Sequence, residues 1–172
     1  MPSAQEALLE AWSDADWARD HHKRRSRSGY LVTVGGCLVV WASRLQSLTA
    51  QSTTEAEFIS MAHCVREIHW IRATLEELHV FQSEPTTVYQ DNLGTLSWTT
   101  EVQGLRKVKH IDIRYHYVRD AVDAKNIRVE YTPSTENKAD GLTKVLVTSA
   151  FDKFRRGLMC LKVEPPPIEE AC

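Results

Sequence analysis

The sequence predicts an α/β fold: a mixed five-stranded sheet, three antiparallel strands followed by two parallel ones, with helices on both faces. Three observations carry the prediction. The chain opens with three β-rich runs, the last two split by Gly35-Gly36, a two-residue hairpin signal. Past residue 50 the apolar spacing changes to steps of three and four, which marks helix. Each later strand-like run is then separated from the previous one by helical sequence, the order that lets strands run parallel.

The elements follow in order. "LEAWSDADWA", from Leu9, reads as the first strand. "HHKRRSRSG" is a polar, basic connection ending in Gly29, and "YLVTVGGCLVVWAS" is the hairpin. Phe58, Met61, Ala62, Val65, Ile68, Ile71, Leu75 and Leu78 form one apolar helix face, preceded by the capping box Ser52 to Glu55. "PTTVYQDN" is the fourth strand and ends in Asp91-Asn92, where a weaker helix starts. Val108, Ile111, Tyr115, Val118 and Val122 trace another helix. "NIRVEYTP" is the fifth strand, stopped by Pro133, and "STENKADGLTKVL" continues as a helix around Asp140. The expected order is β-β-β-α-β-α-α-β-α.

A chain of 172 residues favours one domain, with 1–8 as an N-terminal extension, 9–157 as the folded unit and 158–172 as a disordered tail containing "PPP". Hydrophobic residues make up 42% and charged residues 26%, as in an ordinary globular domain. The net charge of −2 does not mark a nucleic-acid binder, so any basic grip must be local. No apolar run has the length of a membrane span and the N-terminus has no signal pattern. Cys37, Cys64, Cys160 and Cys172 match no common zinc spacing and read as reduced thiols. The expectation is an intracellular protein, cytoplasmic or nuclear, with no membrane partner.

Four carboxylates stand at the ends of elements. One is Asp14 or Asp16 in the first strand, which alternation sends to the same face. Glu57 lies in the first turn of the long helix, Asp91 ends the fourth strand, and Asp140 lies in the final helix. Open α/β sheets place ligands at the carboxyl ends of their parallel strands, where strands one and four meet. Each acid also fits a plainer role. Asp14, Asp16 and Asp140 fit solvent-facing positions, Glu57 fits a capping box with Thr54, and Asp91 fits a turn. Four acids brought together would repel and raise one another's pKa, a penalty that Mg²⁺ removes with oxygen ligands.

"SDADWA", "RRSRSGY", "STTEAEFIS", "YQDN", "KHIDIRYH" and "YTPSTENKAD-LTK" resemble, in this order, the RNase H domain of copia-type LTR retrotransposon polyproteins. The likeness spans about residues 9 to 146. It implies the RNase H-like fold and a divalent-metal-dependent endoribonuclease that cleaves the RNA strand of RNA–DNA hybrids. It further implies that Asp14, Glu57, Asp91 and Asp140 are the catalytic acids and ligands of two Mg²⁺ ions, with Mn²⁺ able to substitute. Asp16 then falls outside the quartet as a neighbour. Many cellular RNases H carry a histidine in the loop before the last acid; "TPSTEN" has none, which lowers the expected turnover.

Arg24, Arg25 and Arg27, with Lys23, fit a grip on the phosphates of a hybrid, and they fit equally a solvated connection. Arg106, Lys107 and Lys109 form a second basic cluster, followed by His110, which fits a substrate contact or a packed, capping role. A hybrid would be selected by minor-groove shape and 2′-hydroxyls. The other expected partner is a reverse transcriptase domain of the same polyprotein. Two rivals remain: a catalytically silent nucleic-acid-binding or structural remnant of a copia-type polyprotein, and an integrase-like strand-transfer domain. The presence of all four acids weighs against the first, and the terminal "AD-LT" against the second.

Overall fold

The computed structural model describes residues 8–20, 22–100 and 109–159. The sheet has five strands: β1 (Leu9–Asp16), β2 (Arg27–Val34), β3 (Cys37–Leu45), β4 (Thr86–Gln90) and β5 (Ile127–Tyr131). Their spatial order is β3-β2-β1-β4-β5. β1 pairs antiparallel with β2, and β2 with β3, whereas β4 runs parallel to β1 and β5 parallel to β4. This is the expected mixed, open sheet. The hairpin turns at Gly35 and Gly36, both at positive φ, as a primed two-residue turn requires.

The helices are α1 (Thr53–Glu77), α2 (Leu93–Thr100), α3 (Lys109–Asp123), α4 (Asp140–Thr143) and α5 (Thr148–Leu158). Ser52 caps α1 by accepting the Glu55 N–H at 3.1 Å, while the Glu55 carboxylate accepts the Gln51 N–H at 2.7 Å. The cap is therefore the Ser52–Glu55 box, and Glu57 is left free for another role.

The two sheet faces are covered unequally. On one face Phe58, Met61, Val65, Ile68 and Ile71 of α1, with Tyr115 and Val118 of α3, pack against Ala11, Tyr30, Val32, Val88 and Ile127. This is the main core. On the other face a small cluster of Trp12, Leu31 and Ala139 is joined by Leu142 of α4 and Leu158 of α5. Leu78, counted in the apolar stripe of α1, lies beyond the helix end and is exposed.

Two local expectations change. The helix expected around Asp140 is a single turn of four residues, α4, and a further helix outside the expected order, α5, follows after an extended Lys144. The basic connection ends before Gly29, since β2 already begins at Arg27. Gly29 lies within β2, where a Cβ would meet Thr143 Cγ2 at 2.6 Å and Leu142 Cβ at 2.9 Å. Glycine is required there because α4 docks directly on the β2 backbone. The extension up to residue 7, the tail from residue 160, and Arg106 with Lys107 lie outside the described residues. Among the described residues no helix is long and apolar enough to cross a membrane.

Candidate active site

The parallel pair β1–β4 delivers two of the acids to one end of the sheet. Trp12 is opposite Tyr89 in register, so Asp14 and Asp91 continue the two strands side by side. Glu57 reaches the same point from α1, as the fifth residue of the helix and so just past the first turn expected for it. Ligand oxygens of Asp14, Glu57 and Asp91 all lie within 4.8 Å of one another. Asp140 stands outside that circle but close enough to Asp14 to act on it electrostatically.

Neighbouring polar groups hold the Asp14 carboxylate and the backbone that carries Asp91. Asp14 accepts a short hydrogen bond from the Thr143 hydroxyl of α4. Gln90 is fully buried, donates to Ser13 Oγ at 3.1 Å, and its Oε1 accepts the backbone N–H groups of Asp91 at 2.8 Å and Asn92 at 3.3 Å. Asn92 caps α2, its Oδ1 accepting the Thr95 N–H at 2.9 Å. In the "DN" pair, then, the asparagine takes the turn role and Asp91 is released to the cluster. Asn137 donates to the Ser13 carbonyl at 2.9 Å and accepts from the Ala139 N–H at 3.0 Å, which ties the loop before α4 to β1. Gln90, Asn137 and Thr143 went unread in the sequence. Only the "YQDN" and "KAD-LTK" spacings pointed near them.

Burial and like charge set the electrostatics. Glu57 is pushed up to about 9, first by desolvation and then by the charges of Asp14 and Asp91. Asp14 is raised to about 6, again chiefly by desolvation, against the lowering effect of Thr143. One oxygen of Glu57 is buried without a hydrogen-bond partner among the described residues. An orphaned carboxylate oxygen facing two more acids is the environment that a hard cation relieves. The triad can hold a divalent cation.

The remaining acids and bases take different places. Asp16 is paired with Arg19 at 2.6 Å and stays out of the triad. Asp140 forms an ion pair with Lys144. Arg24 is exposed at the tip of the β1–β2 connection. Arg25 is paired with Asp20 at 3.6 Å. Arg27, opposite Asp16 in register, donates to Ser43 Oγ at 3.3 Å. Arg27 and Arg19 line a cleft of about 250 Å³ that also includes Thr143, the partner of Asp14. Lys109 and His110 open α3, but their side chains, like all of Lys107, fall outside the description.

No protein-family model matches the chain. It is 38% identical over 145 residues, 84% of its length, to the retrovirus-related Pol polyprotein from transposon TNT 1-94 of Nicotiana tabacum. It is 37% identical over 157 residues, 91% of its length, to that from transposon RE2 of Arabidopsis thaliana. The chain spans 11% of the length of each of these relatives. Among solved structures, LC11-RNase H1 in complex with an RNA/DNA hybrid aligns with a TM-score of 0.58 at 11% identity, covering 83% of this chain and 99% of that one. The prototype foamy virus protease–reverse transcriptase aligns with a TM-score of 0.52 at 13% identity, over 83% of this chain and 21% of that one.

Proposed function

Because this chain belongs to the retrovirus-related Pol polyproteins of copia-type transposons, as a segment with the RNase H fold, we propose that it is a divalent-metal-dependent endoribonuclease acting on the RNA strand of RNA–DNA hybrids. The observation that carries the reading is the convergence of Asp14, Glu57 and Asp91 from three separate elements, with an orphaned Glu57 oxygen among them. Buried acids assembled at the cost of their own repulsion favour a functional site over a solvated surface.

Asp14 and Asp91 would hold the metal at the centre of the sheet end, Glu57 would close its inner side, and Asp140 would serve a second position. Bound Mg²⁺ or Mn²⁺ would make a coordinated water nucleophilic at neutral pH and offset charge on the departing 3′-oxygen. The chain's own part is positioning. Thr143 holds the Asp14 carboxylate and Gln90 holds the backbone at Asp91, so this part of the geometry is set before substrate arrives. Arg27 would grip the hybrid backbone from the cleft that it lines with Arg19 and Thr143, and the exposed Arg24 would add a contact from the β1–β2 connection. Arg25 is partly engaged by Asp20 and would contribute less. Lys107, Lys109 and His110 remain proposed contacts at the start of α3. Within a longer polyprotein the natural partner would be its reverse transcriptase, as this chain aligns with 21% of the foamy virus protease–reverse transcriptase.

The test is cleavage of a labelled RNA–DNA hybrid by the purified chain in Mg²⁺ or Mn²⁺, with EDTA and double-stranded DNA as controls. RNA-strand cleavage abolished by EDTA and by Asp14→Asn is expected. Metal-dependent cleavage of double-stranded DNA in preference to the hybrid would overturn the substrate class. Absence of any cleavage together with intact hybrid binding would favour the silent remnant.

A further inference from the structure

The acid end of the sheet already carries a cation of its own. Lys144 follows α4 directly, in extended conformation, and its ammonium is ion-paired with Asp140. After Asp140 its strongest charge partners are Asp14 and Asp91. An ordinary i,i+4 pair faces solvent and its neighbours are water. This one lies near enough to Asp14 and Asp91 for its charge to act on them, and its lysine is half-exposed on a flexible stem. Asp140, meanwhile, is the acid that does not reach the triad.

We infer that Lys144 is an internal counter-ion standing in for a second divalent ion: at rest the centre is a one-metal site built by Asp14, Glu57 and Asp91, and Asp140 accepts a second ion only when Lys144 releases it. The inference rests on the proposed metal centre. Its physical basis is charge balance. With all four acids ionised, one divalent ion and one ammonium neutralise three of four negative charges, so a second ion gains little until the ammonium leaves. An incoming phosphate would draw Lys144 away and supply fresh oxygen ligands at once, which couples binding of the second ion to arrival of substrate. Lys144 is thus a positioning residue for Asp140, acting through it on the second ion.

Titration of Mn²⁺ by calorimetry and by loss of the free-ion EPR signal tests this without turnover. Wild type should bind one ion tightly and a second at least about tenfold more weakly. Lys144→Met, which keeps the chain length and removes the charge, should tighten the second ion by about tenfold or more and the first, whose ligands Asp14 and Asp91 also feel this charge, by clearly less. Lys144→Arg should behave as wild type. Adding a hybrid with a non-cleavable phosphorothioate linkage should tighten the second ion in wild type more than in Lys144→Met. Melting curves of the three proteins confirm that each is folded, which the half-exposed position favours. An unchanged second site in Lys144→Met, or an arginine variant that behaves like the methionine one, overturns the inference and leaves the metal centre standing. A chain that binds no Mn²⁺ in any of the three forms overturns the metal centre itself.

Discussion

The two halves of the acid cluster are built on different foundations. Asp14, Glu57 and Asp91 project from β1, from near the start of the 25-residue α1 and from the end of β4, elements rooted in the main core. Asp140 rides on a single helical turn held against β2 by the close approach at Gly29 and by the Thr143–Asp14 contact. In the first half Asp14 and Glu57 are buried, Asp91 is half-buried and the acids repel, whereas Asp140, also half-buried, carries its own cation. Rigid burial makes a strong metal position that is costly to leave empty. A tethered, neutralised arm makes an adjustable one.

The largest expected effect separates the deep half from its neighbour on the same strand. If Asp14 is a ligand of the proposed metal centre, Asp14→Asn should lower hybrid cleavage by about a thousandfold or more. Asp16→Asn should stay within a few fold of wild type, because Asp16 is committed to Arg19. Hybrid binding should survive in both. Parallel assays in Mg²⁺ decide the matter: a dead Asp16→Asn beside an active Asp14→Asn means the wrong acid has been placed in the triad.

The second effect is on stability against pH without metal. Folded-state values of about 9 for Glu57 and about 6 for Asp14 lie above the ordinary carboxylate range. A raised folded pKa stabilises fully below the unfolded value and loses that contribution as pH rises through the folded value. The metal-free melting temperature should therefore fall as pH rises from near 4 through 6 towards 9. Saturating Mn²⁺ should remove or reverse the fall, since a cation binds the ionised acids of the folded state. Glu57→Gln should raise the metal-free melting temperature at pH 8 by on the order of 5 °C and flatten the upper part of the curve. A metal-free melting temperature that climbs over this range would contradict the buried, repelling arrangement.

A third test loosens the shallow half alone. In Gly29→Ala the new Cβ collides with Thr143 and Leu142, so α4 must move. Overpacking of this kind costs about 1–3 kcal/mol. Weakened binding of a second Mn²⁺ should accompany the loss, with the first ion little changed. If both ions weaken equally, the two halves are not independent.

The smallest effects concern the basic edge. Arg24→Ala and Arg27→Ala should each weaken hybrid binding and lower the slope of log affinity against log salt by about one phosphate contact. Arg25→Ala should change the slope less, being paired with Asp20. Equal slopes in all three would place the grip elsewhere.

Much of this was legible in the residues themselves because the governing forces are local. The Gly35-Gly36 turn, the Ser52–Glu55 cap, the apolar period of α1 and the alternation of β1 are short-range consequences of backbone sterics and side-chain spacing. They determine which elements form, and the order of elements determines that β1 and β4 lie side by side. The four acids, the basic connection and the likeness to copia-type polyproteins were accessible on the same terms. The tertiary structure alone decided which acids share one pocket and which does not. It showed Asn92 taking the capping role beside Asp91, Thr143 holding the Asp14 carboxylate and Gln90 the backbone at Asp91, Gly29 yielding space to α4, and Lys144 occupying the arm of Asp140. The reason is distance along the chain: Thr143 and Asp14 are 129 residues apart. No local rule connects residues so remote, and only the packing of α4 across the β1–β2 pair brings hydroxyl to carboxylate.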